Sequence, residues 1–250
     1  MEKATSKENV KAELKTLVSP VFAPIFAEKP RSTSGGAFCP VKSSLIRPDF
    51  VFIEDSVNWF KLYNSATDSS PIVLTSAISI SAPRRTDFKL SHGALRCLTT
   101  PNAGGTSEWS EAISFEILRF AYGATLLRTE MEIEYRGASK ITDFAVMING
   151  AHIGVSVTRA MSFGRDIFDF EEAVRLLTKK LEGVVASTRG VIKSHRWKRQ
   201  ILHVLCEDYH NQDLLLDAYE TLDASLKADT MVLITTTRGN SKFIYSSERM

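Results

Sequence analysis

The segment from residue 142 to 161, TDFAVMINGAHIGVSVTRAM, decides how the second half of this chain folds. Two runs typical of β-strands flank Asn149-Gly150, a dipeptide favoured by two-residue hairpin turns. A single carboxylate, Asp143, stands at the start of the first run, and the second run carries the small hydroxyl side chains Ser156 and Thr158. The segment therefore predicts a β-hairpin that bears polar side chains where apolar ones are expected.

Alternation along a strand separates these side chains into two faces. Ser156 and Thr158 share a small polar face of the second strand, and bulky apolar residues occupy its other face. If the hairpin pairs so that Asp143 joins the polar face, the acid and the two hydroxyls meet at one place. Two plainer readings stay open. Asp143 can satisfy backbone groups at a strand end, and the hydroxyl residues can be small because a helix packs closely there.

The elements around the hairpin predict the fold class. A helix from about residue 107 to 122 precedes a strand, the hairpin, a long helix, a buried strand, an acidic helix and a final strand. The order of helix, three strands, helix, strand, helix and strand is typical of an α/β fold with a mixed central sheet flanked by helices.

The helix before the hairpin contributes a further acid. Its apolar stripe comprises Trp109, Ala112, Ile113 and Phe120, with Glu116 near the centre. A carboxylate facing the core is costly unless it is paired, protonated or bound to a metal. We therefore expect Glu116 to point towards the sheet and Asp143. The alternative is a structural ion pair with an arginine, for instance Arg159.

This arrangement resembles the PD-(D/E)XK nuclease superfamily over about residues 107–238. Asp143 matches the family's aspartate, and Ser156-Val157-Thr158 occupies the position of its Glu-x-Lys motif. The resemblance implies a restriction-endonuclease-like fold and metal-dependent cleavage of phosphodiesters by a metal-bound water. It also implies Mg²⁺ ligation by Asp143 and the Val157 carbonyl, and Glu116 of the preceding helix could replace the missing second carboxylate.

The chain departs from the family motif at both remaining positions. Ser156 is a neutral ligand for a hard cation, and Thr158 has no positive charge, although Lys140 or Lys180 could supply one. Losing one such electrostatic group commonly costs about 10²–10³ in rate. The sequence thus predicts a degenerate site comprising Asp143, Glu116, Ser156 and Thr158, with weak Mg²⁺ binding at best and little or no activity.

Charge is polarised along the second half of the chain. Residues 169–199 hold eight basic and four acidic side chains, a net charge of +4, whereas residues 201–229 hold seven acids and one lysine, a net charge of −6. The segment KSHRWKR interleaves Trp197 with basic residues, a pattern suited to phosphate contact and base stacking. The predicted DNA or RNA contacts are Lys193, Arg196, Trp197, Lys198 and Arg199. A solvated connector is the alternative.

The composition restricts the remaining possibilities. The formal net charge of the 250 residues is +2, so overall charge predicts neither a nucleic-acid partner nor a membrane surface. No apolar run approaches the ~20 residues that span a bilayer. Three cysteines lie far apart, which favours a reducing compartment. The charged N-terminus is unlike a signal peptide, so we expect a cytoplasmic or nuclear location.

Three regions are predicted. Residues 1–48 comprise an amphipathic helix (5–17) and a linker or strap, and residues 49–106 form a small β-rich region that includes the run GALRCLTT. Residues 107–250 form the PD-(D/E)XK-like domain, with the boundary at PNAGGTS. The wording GVSVTRA is also similar to an uncharacterised eukaryotic family named for an AAC-rich mRNA clone, which implies no activity.

Two functional hypotheses follow. In the first, the chain is a nuclease-like protein that binds nucleic acid and carries a degenerate metal-dependent site, either weakly active as a nuclease through Asp143 and Glu116 or inactive. In the second, it is a protein-interaction domain on a nuclease-like scaffold with no nucleic-acid role. His203, in an apolar strand, is expected to be a hydrogen-bonded core histidine rather than a ligand.

Overall fold

The computed structural model describes residues 42–55, 61–62, 64, 70–103, 107–137, 139–161 and 167–246. The helix predicted at residues 5–17 lies outside this part of the chain, as does most of the segment 1–48.

Eight strands form one mixed sheet in the spatial order β1-β2-β3-β8-β7-β6-β5-β4. The strands are β1 (Lys42–Ile46), β2 (Phe50–Asp55), β3 (Ile72–Ile80), β4 (Thr125–Thr129), β5 (Phe144–Ile148), β6 (Ala151–Ala160), β7 (Arg199–Cys206) and β8 (Met231–Gly239). The four central strands β3, β8, β7 and β6 run parallel, and antiparallel pairs close both sides. The predicted α/β class with a mixed sheet and flanking helices is confirmed.

Five α-helices of the described residues accompany the sheet: α1 (His92–Thr99), α2 (Glu108–Tyr122), α3 (Phe170–Gly190), α4 (Tyr209–Thr221) and α5 (Ala224–Lys227). The side chains of Asp169 and Asp208 accept hydrogen bonds from backbone N–H groups in the first turns of α3 and α4, and so satisfy donors that the helix itself leaves open. The prediction of a strand at GALRCLTT was wrong. That run forms α1, which begins where Ser91 Oγ accepts from the Ala94 N–H.

The helices cover the two faces of the sheet with separate apolar cores. On one face, Ile113 and Phe115 of α2 pack with Phe144 and Val155 of the hairpin strands. On the other face, the buried side of α3 and α4 packs with side chains of β7 and β8. Both faces of the central strands are therefore buried, as expected for a largely parallel centre.

The hairpin forms at the predicted turn. Asn149 and Gly150 both have positive φ, 48° and 73°, which suits the two-residue turn that matches strand twist. Phe144 pairs with Val155 and Ile148 pairs with Ala151.

The strands of the predicted N-terminal β-rich region join the same sheet. β3 runs parallel to β8 from Ile72 opposite Met231 to Ile80 opposite Gly239. The predicted boundary at PNAGGTS falls between α1 and α2. Within the described ranges, no helix is both long and apolar enough to cross a bilayer.

Candidate functional site

Asp143 lies immediately before β5 and faces the middle of β6. Its Oδ2 accepts a hydrogen bond from the Val157 N–H at 2.5 Å, and the first paired residues beyond it are Phe144 and Val155. The carboxylate thus occupies the place of a strand partner and satisfies a backbone donor of β6. The strand-end role left open by the sequence is confirmed.

A small cavity of about 10 Å³ adjoins Asp143, with room for roughly one water molecule. It is lined by Cys97, Thr100, Pro101, Asn102, Glu111, Thr129, Glu130 and Asp143. The cavity therefore gathers three carboxyl groups: Glu111 of α2, Asp143 just before β5 and Glu130 in the turn after β4. Ser156, Thr158 and Glu116 are not among its lining residues.

Glu111 is the helix acid that lies next to Asp143. Burial and the negative charge of Asp143 together raise the pKa of Glu111 to about 8, although the hydrogen bond from Ser107 opposes this. Burial also raises the pKa of Asp143 to about 6, although the Val157 N–H and the positive charge of Lys180 oppose this. Near neutral pH the pair consequently keeps a proton on Glu111 and carries less negative charge than two free carboxylates.

Glu116 points elsewhere, so the prediction that it faces Asp143 was wrong. Its buried Oε1 accepts from Arg47 and from Arg119, the latter at 2.6 Å, and its Oε2 accepts from the Ser91 N–H at 3.0 Å. Arg47 in turn binds Asp49 at 2.7 Å. The structural ion pair considered as the alternative is present, with Arg47 and Arg119 in place of Arg159.

These arginines keep Glu116 ionised. Burial by itself raises the pKa of Glu116, but the hydrogen bond and charge of Arg119 and the charge of Arg47 bring it below the usual value. The carboxylate is neutralised within the fold, and this network ties the β1–β2 turn and the segment before α1 to α2. Both oxygens of Glu116 accept hydrogen bonds within this network, so neither is directed at Asp143 as a metal ligand would be.

The small polar face of β6 lies under α3. Ser156 is in register with Leu202, and Thr158 with Val204, both of which belong to the core on the side of α3 and α4. Ser156 Oγ donates to Gln200 Oε1 at 3.5 Å. The close helix packing that the sequence left open is thus present, and the hydroxyl pair does not share the cavity of Asp143.

Gln200 organises that face and was not anticipated. Its Nε2 donates to Val184 O, Ser187 Oγ and Thr188 Oγ1 at 2.7–2.9 Å. Thr142 Oγ1 donates towards both Ser187 Oγ and Gln200 Oε1. The amide therefore joins the residue before Asp143, β6 and α3 in one buried hydrogen-bond network.

Metal binding at the predicted ligands stays a prediction. In the described part of the chain, no three His, Cys, Asp or Glu side chains form a set that could hold a metal ion. Asp143 and Glu116 face different partners. The side chains therefore do not bring the predicted ligands together in one coordination set.

His203 is a satisfied core histidine, as expected. Its Nδ1 lies 2.7 Å from Ser114 Oγ and its Nε2 lies 2.8 Å from Thr235 Oγ1, which is in turn 2.8 Å from Ser76 Oγ. Burial lowers the pKa of His203 to about 3, so the ring is neutral and the chain of hydrogen bonds links α2 to three strands.

A basic surface forms where three segments meet: residues 134–137 with 139–140, the C-terminal half of α3 (179–190) and the connector 191–198. Backbone hydrogen bonds join them, from Arg136 N to Gly190 O at 2.8 Å and from Ile192 N to Glu134 O at 3.1 Å. The exposed cations of this surface are Arg136, Lys140, Lys179, Arg189, Lys193, Arg196 and Lys198. No salt bridge involves any of them within the residues that the structure describes.

Two residues predicted to contact nucleic acid are buried, so their assignment was wrong. Trp197 is 4% exposed, and its indole N–H donates to Thr188 Oγ1 at 3.1 Å. A Cβ on Gly154 would come within 2.8 Å of the indole, so the ring lies directly over β6. Arg199 is 1% exposed and donates to the carbonyls of Asp229 and Ser70. Lys193, Arg196 and Lys198 remain exposed.

Comparison with known proteins gives one clear relative. No protein-family model matches the chain. The chain is 42% identical over 211 residues to the AAC-rich mRNA clone AAC4 protein of Dictyostelium discoideum, a match that covers 80% of this chain and 30% of that protein. The chain thus spans less than a third of that relative's length, and the similarity predicted from GVSVTRA is confirmed.

A likeness to one solved structure is slight. The structure of Pyrococcus furiosus SfsA in complex with Ca²⁺ matches with a TM-score of 0.25 and 12% identity, over 54% of this chain and 57% of that one. At that score the likeness supports no conclusion about fold or function.

Proposed function

We propose that this chain is a nucleic-acid-binding domain whose nuclease-like site has degenerated. The observation that carries the proposal is the basic surface, where seven exposed cations stand together without acidic partners in the described residues. Exposed lysines and arginines of this kind bind phosphates and release the counterions condensed on nucleic acid. Folding brings together cations that are up to 62 positions apart in sequence, from Arg136 to Lys198.

The charge of this surface is local. Residues 134–140 and 179–198 together hold eight basic side chains and two acids, Glu134 and Glu182, a net charge of +6 in a chain whose total is +2. The balancing negative charge lies largely on α4 and its flanks. An anionic polymer is therefore attracted to one side of the molecule.

The state of the acid pair supports binding without efficient cleavage. Glu111 keeps a proton near neutral pH, and the cavity beside Asp143 has room for about one water molecule. Mg²⁺ prefers several carboxylate or water oxygens in octahedral array. A site in which Glu111 holds a proton, and which leaves so small a space, is poorly suited to holding a metal together with a phosphodiester.

The test is a binding titration with a matched control. Fluorescence anisotropy of labelled DNA and RNA oligonucleotides would be measured for the natural protein and for Lys193→Ala/Arg196→Ala/Lys198→Ala. The control, Lys61→Ala/Arg238→Ala/Lys242→Ala, removes the same charge from exposed positions outside the basic surface. Each lost phosphate contact should reduce the slope of log affinity against log salt by about 0.7–0.9, so the first variant should lose about 2–3 units of slope and the control far less.

Two results would overturn the proposal. One is that the natural protein binds neither DNA nor RNA at low salt, which would leave the protein-interaction hypothesis standing alone. The other is an equal loss of affinity in both triple variants, which would attribute binding to overall charge rather than to the basic surface.

A further inference from the structure

We infer that the basic surface takes double-helical nucleic acid and holds it by its phosphates without stacking on bases. This inference rests on the proposed function and adds the class of partner. It depends on what the surface lacks as well as on what it presents.

The surface presents no aromatic platform among its described residues. Trp197, which the sequence offered for base stacking, is buried between Gly154 and the Thr188 hydroxyl. Tyr135 is half-buried; its hydroxyl accepts from the Thr142 N–H at 2.8 Å. Its ring lies against Gly190, where an added Cβ would be 3.5 Å from the ring. The half-buried ring of His195 is likewise engaged, since its Nδ1 accepts from the Glu134 N–H at 3.0 Å.

This absence removes the main source of preference for single strands. Proteins that bind unpaired strands combine a basic groove with aromatic rings, and each stacked base contributes about 1–3 kcal/mol. Without exposed rings, affinity comes from phosphate contacts. A duplex then has the advantage, because it carries about one charge per 1.7 Å of axis, twice the density of one strand.

The cations are also held on ordered elements. Lys179 and Arg189 lie on the same helix, ten positions apart, which corresponds to about 15 Å along its axis. The connector that carries Lys193 and Lys198 is fixed at both ends, by Ile192 N to Glu134 O and by Lys198 N to His152 O at 2.8 Å. Cations whose backbone positions are fixed suit a stiff, regularly spaced phosphate array better than a flexible strand.

An acidic face limits where the duplex lies. α4 packs beside α3, and its exposed acids Asp213, Asp217 and Glu220 repel phosphates. The duplex is therefore confined to the basic surface, on the side of the molecule away from these acids. None of the residues lining the cavity of Asp143 belongs to this surface, so duplex binding should proceed independently of the acid pair.

The experiment compares probes that carry equal numbers of phosphates. Duplexes of DNA and of RNA, each in two unrelated sequences, would be titrated beside unstructured single strands by fluorescence anisotropy at low salt. We expect the duplexes to bind at least about five-fold more tightly than the single strands, from their higher charge density. The two sequences of one duplex type should differ by less than about two-fold, since phosphate contacts carry no sequence information. Comparison of the DNA and RNA duplexes shows which helical form fits the surface better.

The possible failures are separable. Tighter binding of single strands than of duplexes would overturn this inference and leave the proposed function intact. Strong dependence on duplex sequence would show base reading and would also overturn it. Absence of binding to every probe would overturn the proposed function and the inference together. The variants Lys179→Ala/Arg189→Ala and Lys193→Ala/Arg196→Ala/Lys198→Ala should each weaken duplex binding, because both groups of cations belong to one surface.

Discussion

Replacing Glu111 with Gln should stabilise the protein, and increasingly so as the pH rises. Glu111 is 5% exposed and lies beside Asp143, and its pKa is raised from 4.5 to about 8. The unfolded chain therefore releases this proton at a lower pH than the folded protein does. Below about pH 4.5 Glu111 is protonated in both states and does not lower the free energy of unfolding. That free energy falls as the pH rises from there towards 8.

The size of the effect follows from the shift. At pH 7, which is about 2.5 units above the unfolded pKa, keeping the proton on the folded group costs about 3 kcal/mol. That figure is a ceiling, because Asp143 shares the proton. Gln can still accept the hydrogen bond that Ser107 Oγ donates to Glu111 Oε1 at 2.5 Å, so the substitution removes the need to protonate a buried carboxyl group on folding and changes little else. We expect a gain of about 1–3 kcal/mol at pH 7 and a smaller gain at pH 5.

The assay is urea denaturation of both proteins across this pH range, in the presence of EDTA. Glu108→Gln, in the same first turn of α2 but half-buried, is the control and should change stability by less than about 1 kcal/mol with little dependence on pH. A Glu111→Gln protein that is less stable than the natural one at pH 8, or a difference that does not grow with pH, would refute the buried acid pair.

Three further predictions concern residues that hold the site. His203 has a folded pKa of about 3 against 6.5 when unfolded, so its contribution to the free energy of unfolding is complete above about pH 6.5 and decreases as the pH falls. At pH 5 this loss should be about 2 kcal/mol, and urea denaturation of His203→Gln should not show it. Arg47→Ala leaves Asp49 and Glu116 buried with fewer partners and should lower the free energy of unfolding by about 3–5 kcal/mol, measured by urea denaturation; no change would contradict the network. Trp197→Ala should cost about 3–5 kcal/mol of stability through the cavity it leaves, and a fully stable variant with impaired nucleic-acid binding would instead restore the stacking role.

The order of elements could be predicted from the sequence because its signals are local. The Asn149-Gly150 turn, the alternation on its flanks and the helical segments of the second half each depend on neighbouring residues. The run GALRCLTT was misassigned because its composition suits a strand, whereas the Ser91 cap and packing under α2 make it helical.

The choice between Glu111 and Glu116 depended on contacts distant in sequence. Helical phase identifies one inward direction, but α2 is buried on nearly every side, from Trp109 to Leu118. Glu116 therefore faces Arg47, which lies 69 positions away, and Glu111 faces the cavity instead. No local pattern marks Arg47 as its partner. The sequence did offer Glu111 as a second carboxylate on the same helix, about one and a half turns before Glu116.

Burial of Trp197 and the network of Gln200 also escaped local reasoning. A tryptophan between lysines and arginines suggests an exposed ring, yet Gly154, on a different strand, leaves the space that the indole fills. The prediction that β6 has a small polar face was correct. The groups that pack on this face, Gln200 of β7 and the helix α3, are distant in sequence and could not be predicted from it.

The claim that the basic surface binds duplex without cleaving it is tested most directly by mixing one labelled duplex with each of three proteins, in EDTA and in Mg²⁺. These proteins are the natural protein, Asp143→Asn and Lys193→Ala/Arg196→Ala/Lys198→Ala. A native gel reports binding, and a denaturing gel of the same samples reports cleavage. We predict that the natural protein and Asp143→Asn shift the duplex equally with or without Mg²⁺, that the triple variant shifts it much less, and that the duplex stays intact throughout. Mg²⁺-dependent cleavage by the natural protein that Asp143→Asn abolishes would contradict the account and assign a working nuclease site to Asp143.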